Sequence, residues 1–277
     1  EQLGIDVYWS PNALMDNVVM PARQTRSCNF AVTIYDLIIL VMRSEYEKHR
    51  SASSIAAYRT KLRRLATDFD LFLHISNHTR SDFLKGLPVA DKRHVVTHLA
   101  ADSTFHPLPF PLMSAASDYI IYPGGFDPRK NMDRAVEAFA RLHAKYGSEE
   151  KISSTQLCIV CNADQAGESQ LLNHAKKLGV GGKVRLTGFV EDRVLVETYE
   201  RARCLFFPSL YEGFGLPVVE GLACGLPVVS TRVGGVPLMV HDGASALLVD
   251  AGDHEAMAAA ALRIVRDAEL AQRLAAT

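Results

Sequence analysis

No apolar run in the sequence reaches the roughly 18 residues that a membrane span needs, and no signal peptide opens it. Neither sign of charge dominates. Lys and Arg total 30 against 31 Asp and Glu, so nothing marks a polyanion such as nucleic acid as the partner. Cysteine is sparse and odd in number: Cys28, Cys158, Cys161, Cys204 and Cys224 lie in apolar runs. Such placement points to buried thiols in a reducing, cytoplasmic compartment rather than to a disulfide framework. Cys158 and Cys161 have the spacing of metal ligands but fall in a predicted strand, where positions i and i+3 face opposite ways, so zinc is not expected. Internal repeats and low-complexity segments are absent. The sequence starts at Glu1 and stops at Thr277 inside a helical pattern, as an internal piece of a longer chain would.

What the sequence does have is apolar material in a regular order. Hydrophobic residues make up 48% of 277, enough for the cores of two domains. Short apolar runs alternate with helical patterns. Strands are predicted at 6–10, 30–35, 71–76 and 94–97, with a helix over 53–66 whose Ile55, Tyr58, Leu62 and Leu65 mark one face. Pro107, Pro109 and Pro111 then break regular structure, and 107–117 reads as a linker between domains at 1–106 and 118–277. Beyond it the spacing predicts strands at 119–122, 157–160, 183–187, 204–207, 227–231 and 246–249. Helices are expected at 132–145, 168–178, 192–201, 216–223 and 254–265. Six strands alternating with helices predict an α/β domain with a parallel, doubly wound sheet, which binds ligands at the carboxyl ends of its strands.

Two loops at that edge carry the candidate chemistry. The stretch from Ser209 to Ala223 reads SLYEGFGLPVVEGLA, with Glu212 at a Gly-Phe-Gly turn and Glu220 one turn into the following helix. Gly213 and Gly215 let backbone approach a ligand, Pro217 suits a first helical turn, and Gly225 suits the position past the helix end. Free N–H groups at the helix start favour an anion, typically phosphate. The carboxylates serve hydroxyls instead: Glu220 can take both hydroxyls of a ribose, and Glu212 those of a group beyond the phosphates. Together they describe a nucleotide sugar. The alternative is two acids on a solvated helix start, where the helix dipole favours them by about 0.3–1 kcal/mol.

The second loop reads YPGGFDPRKNMDRAVEAF from Tyr122. Gly124 and Gly125 make a turn, and Asn131 can cap the helix starting near Met132. Arg129 and Lys130 sit at that helix start, where the dipole disfavours cations; a diphosphate would offset the conflict. The alternative is an exposed basic pair on a loop.

These two segments, with the GGVPLMVHDGASALLVDAGDHEAMAAAALRIVRD stretch, resemble the retaining nucleotide-sugar glycosyltransferases of glycosyltransferase family four. The likeness covers nearly all of 118–270 and is weaker over 1–106. It implies the GT-B fold: two Rossmann-like domains, the amino-terminal one on the acceptor side and incomplete. The family's first strand and Gly-rich loop would precede Asp6, and its last crossing helix would follow Thr277. By matched position, Lys130 would hold the donor phosphates and Glu220 the ribose. Glu212 and the backbone of Gly213, Phe214, Gly215 and Leu216 would hold sugar hydroxyls and phosphate, beside Gly124 and Gly125. The base would lie near Gly188, Phe189 and Val190. Three positions depart from the pattern: Gly125 where Arg is frequent, so that one phosphate clamp is either missing or moved to Arg129; Tyr35 before Asp36 where His-Asp is frequent on the acceptor side; and Leu238 where a Glu is usual after Pro237.

The resemblance therefore implies transfer of a hexose, of mannose or glucose type, from a GDP- or UDP-linked donor to a glycan or lipid-linked acceptor, as in polysaccharide biosynthesis. Lys130, Arg129 and Glu212 would be its catalytic residues. No Asp-x-Asp pair sits where it could hold a metal-bound diphosphate, so neither metal nor cofactor is expected. The rivals are an epimerase or phosphorylase on the same fold, and a non-catalytic nucleotide-sugar-binding or scaffold domain. Arg59, Lys61, Arg63 and Arg64 share a helix whose other face is apolar; this is a solvated face or a peripheral contact with anionic lipid at the inner face of the membrane. His74 and His78 flank Ser76 at a strand end and either face the cleft or serve structure.

Overall fold

The computed structural model describes residues 6–15, 28–107 and 118–276. The chain divides into two compact units: residues 1–99 together with 212–214, and residues 100–211 together with 215–277. Most of the expected linker, 108–117, lies outside the described residues.

The first unit is a four-stranded parallel sheet in the order β1-β2-β3-β4, with strands Val7–Ser10, Asn29–Ile34, Leu71–His74 and Arg93–Val96. Two short helices, α1 (Ile38–Val41) and α2 (Arg43–Tyr46), lead into the long α3 (Ala52–Asp68). Ser51 caps α3 by accepting from the Ser54 N–H, and Ile55, Tyr58, Leu62 and Leu65 are its buried face, as the periodicity predicts. Helix α4 (Asn77–Gly86) follows β3, with Ser76 as its N-cap. It fills the interval between the strands expected at 71–76 and 94–97, where the alternation calls for a helix, and Thr79 and Phe83 are its buried residues.

The second unit is a six-stranded parallel sheet in the order β10-β9-β8-β5-β6-β7. In chain order it comprises β5 (Tyr119–Pro123), α5 (Met132–Tyr146), α6 (Glu150–Ser153), β6 (Gln156–Val160), α7 (Gln165–Lys177) and β7 (Val184–Leu186). Then come α8 (Asp192–Arg201), β8 (Leu205–Phe207), α9 (Leu216–Ala223), β9 (Val228–Thr231) and α10 (Val236–Met239). Finally come β10 (Leu247–Val249), α11 (His254–Arg266) and α12 (Ala268–Ala275). Its central strands β5 and β8 are buried along their whole length because both faces of the sheet are covered. Ile120 and Tyr122 enter one core with Phe139 of α5 and Leu262 of α11; Tyr119 and Ile121 enter the other with Val218 of α9 and Leu226. The same alternation sends Cys161 to the first core and Cys158 to the second, so the two thiols do not share a side of the sheet.

Strand order fixes where a ligand can sit. From β5 the chain winds outward through β6 to β7, then returns to β8 on the other side of β5 and winds outward to β10. The order reverses between β5 and β8, and the crevice beyond their carboxyl ends is the binding position of such sheets. The loops after β5 and β8 are the two that the sequence singles out. No helix among the described residues is long and apolar enough to cross a membrane.

Candidate functional site

The loop after β5 is built from its own backbone. A Cβ on Gly124 would lie 2.8 Å from the hydroxyl of the fully buried Tyr122, so glycine is required there; the same construction on Gly125 meets nothing within 4 Å. Asp127 then caps a 3-10 turn, Pro128–Lys130, accepting from the Arg129 N–H at 3.0 Å, and lies 3.5 Å from the Arg129 Nε. Arg129 and Lys130 thus occupy this tight turn ahead of α5, not the helix itself.

Asn131 is the only non-glycine with positive φ among the described residues, at 56°. It stands at the N-cap position of α5, yet its side chain makes no capping bond, contrary to expectation. Its Nδ2 instead donates to the Pro208 carbonyl at 3.0 Å. Asparagine tolerates the left-handed region, and here it trades a cap for a bond to the neighbouring loop.

That bond is one of several joining the two loops. The Leu210 N–H donates to the Arg129 carbonyl at 2.7 Å. The Tyr122 hydroxyl donates to the Lys130 carbonyl at 3.1 Å, and the Lys130 Nζ lies 5.0 Å from the centre of the Phe207 ring. From β9, the buried Thr231 hydroxyl donates to the Ser209 carbonyl at 2.6 Å. The carboxyl ends of β5, β8 and β9 are therefore stitched into one surface around Lys130. Thr231 was invisible in the sequence as a site residue, because a β-branched residue ending a strand is ordinary.

Gly215 begins α9 with φ 113°, and a Cβ there would also meet Val236 at 2.9 Å, so the entry to this helix demands glycine twice over. Pro217 occupies the first turn, and Gly225 follows the helix with φ 70°, both as the sequence predicts. Glu220 is half-buried on α9. Burial pushes its pKa up, while the Tyr199 hydroxyl, which donates to its Oε2 at 3.2 Å, and the charge of Lys130 hold it down; Asp192 pushes it up. Glu220 and Lys130, predicted separately from two loops, thus feel one another's charge. Tyr199 is a member of this group that sequence reasoning missed: a lone Tyr on the apolar side of a helix looks like any core aromatic.

Gly188, with φ 75°, turns the chain after β7, two strands from β5 in the sheet; Phe189 is 79% exposed and Val190 half-buried. Glu212, Gly213 and Phe214 belong to the first unit and are buried, as Leu216, in the second, is only in part. Tyr35 and Asp36 follow β2 in the first unit, where the Asp36 Oδ1 accepts from the Ile38 N–H at 3.2 Å at the start of α1.

His74 does not face solvent. It is fully buried, with its Nε2 2.9 Å from Nδ1 of His94, whose own Nε2 lies 2.7 Å from the Val89 carbonyl. A carbonyl only accepts, so His94 carries its proton on Nε2 and receives one from His74 Nε2. That leaves the His74 Nδ1 as a buried acceptor with no partner. Burial, then His94 and Arg80, lower the His74 pKa to about 4. Its role is structural.

O-antigen chain mannosyltransferase B of Escherichia coli is 27% identical over 260 residues, 91% of this chain and 64% of that one. Sucrose-phosphate synthase from Thermosynechococcus elongatus superposes with a TM-score of 0.75 at 23% identity, over 91% of this chain and 62% of its own. HepE of Anabaena, solved in complex with UDP-glucose, gives a TM-score of 0.72 at 18% identity, over 90% and 65%. At such identities the two structures speak to fold alone, and the fold is of the GT-B type, as the resemblance implied. The chain spans less than two thirds of each of these proteins. The family model described as glycosyl transferases group 1 matches residues 113–277, more than half of the chain. A site built at the switch point of the matched unit and a family match over that same unit lead to one conclusion: the chain belongs to the glycosyl transferases group 1 family.

Proposed function

We propose that the chain is the donor-binding part, with a portion of the acceptor side, of a metal-independent retaining hexosyltransferase that uses a nucleotide-diphosphate sugar. The carrying observation is that the turn holding Lys130, after β5, and the loop opening α9, which holds Glu220, are hydrogen-bonded to each other at the switch point, a cation for diphosphate on one and a carboxylate for ribose on the next helix. The name of the Escherichia coli relative favours mannose as the hexose, and hence GDP-mannose as the first donor to try; the UDP-glucose bound by the Anabaena protein makes UDP-glucose the second.

In this reading the acceptor hydroxyl attacks the anomeric carbon on the face from which the diphosphate departs. The bond from that carbon to the diphosphate oxygen breaks, the bond to the acceptor oxygen forms, and the leaving phosphate takes the acceptor proton. The protein's main contribution is stabilisation of the charge growing on the diphosphate, by Lys130, by Arg129 and by the N–H groups opening α9.

Calorimetry with GDP, UDP and the intact donors tests this. Glu220→Ala should weaken the bound nucleotide by about 1.5–3 kcal/mol, the scale of hydrogen bonds to a charged group. The free nucleoside diphosphate should lose as much as the whole donor, because the contact is to ribose. Undiminished nucleotide affinity in the variant removes Glu220 from the site. A second reading is favoured by Tyr35, which stands where the family often has His: donor binding without transfer. Saturable binding of a donor with neither transfer nor hydrolysis would select it.

A further inference from the structure

We propose that Tyr199 is a positioning residue for Glu220: its hydroxyl fixes the carboxylate in the orientation that receives the ribose hydroxyls of a nucleoside diphosphate. The inference rests on the ribose-binding reading of Glu220 given above.

Tyr199 lies on α8 and is fully buried, its ring edge-on to Phe105 at 6.0 Å. A phenol hydroxyl taken out of water needs a hydrogen-bond partner, and the one it has is Oε2 of Glu220 at 3.2 Å. The bond is local in space but joins residues 21 apart in sequence, α8 to α9. A glutamate on an eight-residue helix has three side-chain torsions to settle, and a bidentate contact with a vicinal diol tolerates little play in them. Tyr199 occupies one lone pair of Oε2 and leaves the other oxygen and the remaining lone pairs for a ligand.

The electrostatics point the same way. Burial raises the Glu220 pKa, and Tyr199 and Lys130 oppose that; Asp192 adds to it. The neighbouring Cys224 thiol, pushed up to about 12 chiefly by burial, is neutral at working pH and does not compete. Removing the Tyr199 hydroxyl takes away a group that favours the charged carboxylate. Glu220 then takes up its proton at higher pH, and a protonated Glu220 loses half its acceptor capacity.

The test is calorimetry from pH 5 to 8 on the parent, Tyr199→Phe, Glu220→Gln and the double variant, with GDP and UDP, and with inorganic pyrophosphate as a probe that has no ribose. Tyr199→Phe should weaken the nucleotide about tenfold at neutral pH and leave pyrophosphate unchanged. The pH below which nucleotide affinity falls should move upward in Tyr199→Phe. In the Glu220→Gln background the second substitution should change nothing. Three outcomes overturn the proposal, and they are distinguishable. If Glu220→Gln is weak but Tyr199→Phe matches the parent at every pH, the positioning role is wrong and the ribose reading stands. Loss of pyrophosphate as well as nucleotide in Tyr199→Phe makes Tyr199 a packing residue only. If Glu220→Gln binds nucleotide like the parent, or neither nucleotide binds the parent, the ribose reading falls and takes this inference with it.

Discussion

The two units are both parallel sheets, yet they are held together differently. In the six-stranded unit, β5 is buried along its whole length, and the carbonyls of Lys130, Pro208 and Ser209, in the loops after β5 and β8, are tied by Tyr122, Asn131 and Thr231. In the four-stranded unit the edge strand β4 alternates exposed and half-buried residues, and one of the latter, His94, meets the fully buried His74. A fold that buries an imidazole is at its most stable only while that imidazole stays neutral. In the second unit the candidate charges, Lys130 and Glu220, stand beyond the carboxyl ends of β5 and β8, so substitutions there should act on binding and turnover, whereas in the first unit the buried His74 should respond to acid.

The largest effect expected from this contrast is on turnover. Lys130→Ala should lower the rate of transfer by roughly 10²–10³, the usual loss for one electrostatic donor aimed at developing charge. Ground-state donor affinity should fall less, because the charge on the diphosphate grows as the bond breaks. Arg129→Ala is the comparison. Its Nε lies 3.5 Å from Asp127 Oδ2. If Arg129 has taken the role of the arginine frequent at position 125, its loss should hurt about as much as that of Lys130. A silent Arg129→Ala confines the cation role to Lys130. If both variants are silent in affinity and turnover, the diphosphate does not sit on this loop.

The boundaries of α8 and α9 were legible to the residue; Gly215 and Gly225 bracket α9, and an acid-led periodic pattern marks α8. So were the strands of the second unit, each within a residue at either end. What could not be read was partnership. Asn131 has the right identity for a cap and makes another bond. Tyr199 and Tyr122 look like core aromatics until their hydroxyls are located. His74 sits at a strand end that sequence leaves open, and only the register of β3 with β4, which sets His74 beside Val96, reveals why it is buried against His94. Patterns of apolar residues report which face is inside; they say nothing of which polar atom a buried polar atom meets.

The next effect belongs to the first unit. Because the folded-state pKa of His74 is about 4, against 6.5 unperturbed, the unfolded chain binds more protons between those values. Stability from the neutral His74 is therefore complete above pH 6.5 and is lost as pH falls toward 4, by about 3 kcal/mol in all. Hydrogen exchange of the β2 and β3 amides should show this acid limb. His143, in the second unit, is shifted the same way, by burial and Lys183, so the amides of α5 should soften too. His74→Phe should flatten the limb in β2 and β3 while leaving that of α5. An unchanged limb in the variant would show that His74 is not its source.

The smallest effect sharpens the contrast within the ligand edge itself, between two adjacent glycines. Gly124 is sterically required: a Cβ there presses on Tyr122, whose hydroxyl holds the Lys130 carbonyl, and Tyr122 is too buried to swing away. Gly124→Ala should therefore shift the Lys130 turn and weaken diphosphate binding without removing any charge. Gly125 has open space around its Cβ position and no left-handed backbone, so nothing in its surroundings demands glycine. Gly125→Arg should fold unchanged and return a cation to the place where the family often has one. A cation at a half-exposed position adds about 0.2–1 kcal/mol to an ion pair, so pyrophosphate and nucleotide should both bind up to about fivefold more tightly. The gain should shrink with added salt, as an exposed charge requires. If Gly125→Arg tightens binding in the parent but not in Arg129→Ala, the two arginines act together on the phosphates. If it restores what Arg129→Ala loses, they are alternatives, and Arg129 is the displaced form of the family's cation. If Gly125→Arg leaves diphosphate affinity untouched in both backgrounds, the phosphates do not approach this turn, and the cation at Lys130 must be read as part of the scaffold that orients α5.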